Sequence, residues 1–95
     1  DNLEIWNQIP KTIKNEIEFP LKNYEIILNL AKNIANLLDL NQQEFLLNYI
    51  QRNWWKRTKN KKIAEILETI KNNIYSNVQP RVSWEVGLLK IKFEE

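Results

Sequence analysis

The C-terminal stretch RVSWEVGLLKIKFEE, residues 81–95, decides the fold class, because its apolar spacing departs from the helical pattern of the chain before it. Val82, Trp84 and Val86 alternate with Ser83 and Glu85, and Leu89, Ile91 and Phe93 alternate with Lys90 and Lys92. Such alternation marks a strand with one buried face. The phase slips by one at Gly87-Leu88, and a two-residue turn with Gly first, as a type II′ turn requires, repairs the slip. Folded there, the stretch pairs Val86 with Leu89, Trp84 with Ile91 and Val82 with Phe93 on one face. The opposite face pairs Glu85 with Lys90 and Arg81 with Glu94, opposite charges in both cases. A β-hairpin over residues 81–95 is therefore expected, with a single strand bulged at Gly87 as the alternative. An isolated hairpin is only marginally stable, so its apolar face has to pack on helices.

Upstream, the apolar residues return every three or four positions. Tyr24, Ile27, Leu28, Ala31, Ile34, Ala35 and Leu38 form a buried stripe that Leu30 and Leu37 widen, predicting a central helix over Leu21 to Leu38. Asn41 is a good N-cap with Glu44 three residues later, and Leu40 and Phe45 are spaced as a hydrophobic staple, predicting a helix from Gln42 to about Lys56. Asn60 then caps a further helix with the stripe Ile63, Ile66, Leu67, Ile70 and Ile74, and Ser76 to Pro80 ends the helical part. Before the central helix, Pro10 and Pro20 bracket a short helix over Lys11 to Phe19, and Asn2 to Asn7 supplies a helical turn or an irregular arm. The expected fold is mainly α: a small bundle of three long-to-medium helices plus a short N-terminal helix, with a C-terminal β-hairpin packed on it. Residues 1–95 form a single domain in this scheme, with an arm and short helix over 1–20, a helical core over 21–76 and the hairpin over 81–95.

Ninety-five residues suit one core rather than two. One Gly and three Pro leave little room for linkers, and no repeat or low-complexity tract interrupts the chain. There is no Cys, His or Met, so disulfides, thiolate zinc sites and histidine ligand clusters are excluded, and no metal or cofactor is expected. The longest apolar runs are broken by Asn, Lys and Glu every few residues, which predicts no membrane span. The chain opens on Asp1 without an initiator Met, the pattern of a trimmed or processed product, and shows no targeting signal, so a cytoplasmic location is expected.

The net charge of +2 conceals a division. Of the fourteen Lys and Arg residues, six lie together: Arg52, Lys56, Arg57, Lys59, Lys61 and Lys62. No acid occurs between Glu44 and Glu65, so the remainder of the chain is net negative. A clustered positive field attracts phosphate as scattered charges do not. Trp54 and Trp55 sit inside this segment. Successive helical residues point about 100° apart. Trp54 therefore joins the stripe of Leu46, Leu47 and Ile50 and reads as core, whereas Trp55 falls with Asn48, Arg52, Lys56 and Lys59 on the polar side. A tryptophan among cations suits stacking on a base while the cations hold phosphates. The competing reading has Trp55 covered by another part of the chain and the lysines merely solvated, partly favoured by a helix C-terminus. Trp6, Trp84 and Tyr24 read as packed against the core, and Tyr49 borders a stripe.

Catalysis needs convergent titratable groups, and the commonest base and the most nucleophilic side chain are both missing. Glu16, Glu18, Glu25, Asp39, Glu65 and Glu68 are scattered, and one glycine cannot build a phosphate loop. The expectation is no enzyme. Phe19-Pro20, a helix, then Glu44 to Ile50 and a helix over Ile63 to Ile70 is loosely similar to the opening of the C-terminal domain of large primase subunits. The cluster cysteines of those domains are absent here, with Asn41, Gln42 and Gln43 where basic residues are expected, and no family is assigned on this pattern. The residues point first to an accessory module that binds nucleic acid or nucleotide phosphates through Arg52, Trp55, Lys56, Arg57, Lys59, Lys61 and Lys62. The alternative is a protein-interaction module or one member of a larger complex, docking through the hairpin edge or the Trp-containing basic face.

Overall fold

Pro80 stands at the first turn of a helix, where its fixed φ and missing N–H cost nothing, and the chain stays helical from there to Glu94. The structure, a computed structural model, describes residues 2–76 and 78–95; Asn77, in the connection expected over Ser76 to Pro80, lies outside the described residues. Among the described residues six helices run in order: α1 Asn2–Gln8, α2 Lys11–Glu16, α3 Tyr24–Leu37, α4 Leu40–Thr58, α5 Lys61–Tyr75 and α6 Pro80–Glu94. No strand occurs among them.

The expected hairpin is therefore absent, and α6 shows why its sequence resembles one. Ser83, Trp84, Gly87, Leu88 and Ile91 are buried, a spacing of one, three, one and three that only a helix presents on one side. Val82, Val86, Leu89 and Phe93 lie four, three and four apart and form a second helical stripe beside the first. Two apolar stripes interleaved on one helix alternate along the sequence much as one face of a strand does. Gly87 makes no turn. It lies at the crossing of α6 with α5, where an added Cβ would fall inside the van der Waals envelope of Ile70 Cγ1 and Cδ1.

α6 packs chiefly on α3 and α5. Trp84 is fully buried, and its indole N–H donates to Gln43 Oε1 at 3.0 Å. Gln43, itself buried on α4, donates from Nε2 to the Leu38 carbonyl at 3.0 Å. A relay of hydrogen bonds thus joins α6, α4 and the end of α3 inside the core. At the far end of α6, Lys92 Nζ donates to the Leu21 carbonyl at 2.9 Å and Glu95 Oε1 accepts from the Leu21 N–H at 2.6 Å. These bonds satisfy backbone groups of the non-helical segment before α3.

Helix α3 begins at Tyr24 rather than Leu21, because the Asn23 side chain accepts from the Ile26 N–H at 2.9 Å and caps it there. Its buried face is Ile27, Leu30, Ala31 and Ile34, with Leu38 just beyond. Tyr24, Leu28 and Leu37, expected in the stripe or widening it, are exposed, so the face is turned toward Leu30. Tyr24 instead meets the exposed Phe93 ring at 6.1 Å. Helix α4 starts two residues before the expected position. Its capping box is Asp39 with Gln42, at 2.8 and 2.9 Å, and not Asn41 with Glu44. Glu44 is left to accept from the Tyr75 hydroxyl at the end of α5, and this holds the Tyr75 phenol above its ordinary pKa. Asn60 caps α5 as expected, accepting from the Lys62 N–H at 2.9 Å, and Ile63, Leu67, Ile70 and Ile74 are its buried stripe.

Two substitutions test this core. Gln43→Leu leaves the Trp84 indole N–H buried without an acceptor, which costs about 1–3 kcal/mol. For a domain of this size the melting temperature then falls by roughly 10 °C. Gly87→Val forces branched carbon into the Ile70 site and costs about 2 kcal/mol, with helical circular dichroism retained below the transition. A Gly87→Val variant as stable as the parent would contradict the helix crossing.

Candidate functional site

The adjacent tryptophans of α4 separate as the helix turns. Trp54 is 2% exposed and packs on Phe19, ring centroids 5.7 Å apart. Trp55 is 38% exposed. Its inner edge borders a small crevice with Gln51, Thr58 and Leu67, so the indole lies over the α4–α5 junction with part of its surface in solvent. No other described segment seals it.

All six clustered cations are exposed. Among the described residues, none of them forms an ion pair with a carboxylate. Arg52, Lys56 and Lys59 lie three before, one after and four after Trp55, on the same flank of α4. The Lys59 ammonium stands 5.5 Å from the Trp55 ring centroid, within cation–π range. Lys59 also has a left-handed backbone, φ 51°, where it ends α4 by donating its N–H to the Trp55 carbonyl at 2.9 Å. Glycine is the default residue for that conformation, and a side chain there costs roughly 1 kcal/mol.

The helix dipoles explain only part of this cluster. Lys56 and Arg57 lie in the last turn of α4, where cations are favoured, but Lys61 and Lys62 open α5, where they are not. Nor do all six share one surface. Arg57 turns to another side of α4 and borders a cleft with Trp6, and Lys62 borders the groove between α5 and α6. The structure brings together Arg52, Trp55, Lys56 and Lys59, and leaves Arg57 and Lys62 on other surfaces.

Two concavities were not anticipated from the sequence. The α5–α6 groove has a volume of about 420 Å³; Ile66, Ile70 and Gly87 border it, and Val78, Val82 and Val86 line it at 39%, 45% and 46% exposure. The second, of about 280 Å³, is enclosed by α1, α2, the segment after α2 and α4. Trp6, expected as a packed residue, forms one wall half-buried, with its ring 4.4 Å from Tyr49 and the Lys14 ammonium 4.8 Å from its centroid. Residues about forty positions apart meet there, which no local spacing signals.

Among the described residues no group of carboxylates is placed to hold a metal ion, and no helix is long and apolar enough to cross a membrane. Comparison with known proteins gave no curated protein and no solved structure as a match. The family model described as cyanobacterial DNA polymerase III delta prime, C-terminal domain, matches residues 1–91, nearly the whole chain. The chain belongs to the family of cyanobacterial DNA polymerase III delta prime C-terminal domains.

Proposed function

We propose that this domain is a non-catalytic assembly element, which joins a delta prime protein to its neighbours in DNA polymerase III. The observation that carries this reading is the family match over residues 1–91. The sequence supports the non-catalytic part, since it has no His or Cys and its one glycine lies inside a helix. Membership in a replication family supports a cytoplasmic location. The docking face is the α5–α6 groove. Val82 and Val86 are exposed in a row along α6 with Val78 just before it, and α5 and α6 are each 15 residues, long enough to cradle about four turns of a partner helix. Exposed apolar rows of this kind are what protein interfaces cover.

A second reading is favoured by the Trp55 flank. An exposed indole beside Arg52, Lys56 and Lys59, with a lysine held in a conformation that suits glycine, supports contact with a nucleic-acid strand. The indole would stack on a base at about 1–3 kcal/mol, and the cations would follow the phosphates. Lys61 and Lys62 extend the positive field, and Arg57 adds to it from the adjoining face.

The readings separate experimentally. Val82→Asp with Val86→Asp, made in the whole delta prime protein, changes only exposed side chains of α6. Gel filtration with the other proteins of DNA polymerase III is expected to show assembly weakened by tenfold or more, and undiminished assembly would remove the groove from the interface. For the second reading, Trp55→Ala combined with Lys56→Glu and Lys59→Glu is titrated with a labelled single-stranded oligonucleotide. Affinity falls more than tenfold in the variant, and the parent shows a log–log salt slope near −2, as about three phosphate contacts require. Unchanged affinity in the triple variant ends that reading.

A further inference from the structure

The cleft between α1, α2 and α4 differs in chemistry from both surfaces above. Four of the ten aromatic residues of the chain line it: Trp6, Phe19, Tyr49 and Trp54. They form two ring pairs, Trp6 with Tyr49 at 4.4 Å and Phe19 with Trp54 at 5.7 Å. Trp54 is fully packed, whereas Trp6, Phe19 and Tyr49 are half-buried and keep ring surface for contact. Two cations border the same space, Lys14 from α2 and Arg57 from α4, against one carboxylate, Glu18. The Lys14 ammonium is already held over the Trp6 ring, so one positive charge is placed at the aromatic wall before any ligand arrives.

The polar group on the floor side is equally specific. Asn53 donates from Nδ2 to the Tyr49 carbonyl at 2.8 Å, which fixes its amide and leaves Oδ1 as an acceptor. Aromatic faces, an oriented acceptor and two cations together suit a planar ring that carries an amino group and an anion. The volume of about 280 Å³ lies at the small end of ligand sites, enough for one base and not for two.

We propose that this cleft binds an aromatic base bearing a phosphate, with the ring against Trp6 and Tyr49 and the phosphate between Lys14 and Arg57. A base amino group donates to Asn53 Oδ1. The two sources of that chemistry are a free nucleotide and the terminal nucleotide of a DNA strand. The site stands apart from the assembly groove and from the Trp55 flank, sharing only Arg57 with the basic cluster.

The test follows the four indole N–H signals of the 95-residue chain by NMR during titration with deoxyadenosine monophosphate and, separately, with a 5′-phosphorylated oligodeoxyadenylate. The Trp6 signal is expected to shift on saturation. Lys14→Glu, outside the basic cluster, is expected to weaken binding roughly tenfold, and Trp55→Ala to leave it within twofold. Lys14→Gln, which removes the charge without reversing it, gives an intermediate loss, and circular dichroism checks that both variants are folded. Saturation with the mononucleotide assigns a free nucleotide; a Lys14-dependent response to the oligonucleotide alone assigns a strand end. A Trp6 signal that stays still with both probes overturns the proposal. So does a response lost in Trp55→Ala and kept in Lys14→Glu, which leaves binding to the Trp55 flank.

Discussion

A buried indole N–H has to find an acceptor, and the one given to Trp84 organises the molecule. Burying an amide or indole dipole without a partner costs several times what the bond itself contributes, so the position of Gln43 is constrained from both ends. Its Oε1 receives Trp84 and its Nε2 reaches the Leu38 carbonyl at the end of α3. This bridge sets the rotation of α6 relative to α4. That rotation puts Leu88 and Ile91 in the core and brings Gly87 face to face with Ile70. The same rotation leaves Val82 and Val86 on the outside, over α5.

Each surface of interest follows from that arrangement. Because α6 occupies the position between α3 and α5, its second apolar stripe stays uncovered by the described residues over Val82 and Val86, and a groove results. Helix α4 buries Leu46, Leu47, Ile50 and Trp54, so the residues a quarter-turn away face out at its C-terminal end. Trp55 and its flanking cations are exposed for that geometric reason. On its other flank α4 meets α1 through Tyr49 and Trp6, and the short α2 delivers Lys14 to the same place.

The membership in the delta prime C-terminal domain family accords with a molecule whose surfaces, rather than an internal centre, hold its distinctive chemistry. Helices α5 and α6 are held close at their crossing by Gly87, a residue without a side chain, and α6 presents the exposed Val82 and Val86 beside that crossing. The positive cluster has a different character. Part of it completes the C-terminal dipole of α4, and part of it opposes the N-terminal dipole of α5.

Local spacing was enough to find four of the elements. The stripe of α5, the core position of Trp54 and the turn of Trp55 off that stripe are consequences of a period of about 3.6 residues, and the Asn60 cap follows from its side chain. The cap of α4 was misplaced by two residues because Asp39-Gln42 and Asn41-Glu44 are chemically equivalent signals, and only the partner of Glu44 on α5 distinguishes them. The last fifteen residues carried two helical stripes at once, and in one dimension their sum is indistinguishable from the alternation of a strand. Packing removed that ambiguity: α6 lies against α3 and α5 with the stripe of Trp84, Leu88 and Ile91 buried, while Val82, Val86 and Phe93 of the other stripe stay exposed. The aromatic cleft lay beyond any local rule, since it depends on Trp6 and Lys14 meeting Tyr49 and Arg57. The sequence alone determined the helices before Pro80 and which of the two adjacent indoles joins the core stripe, since both depend on near neighbours; the tertiary structure alone decided that the C-terminal segment is a helix, how far Trp55 is exposed and where the cavities lie, since these depend on what lies across the core.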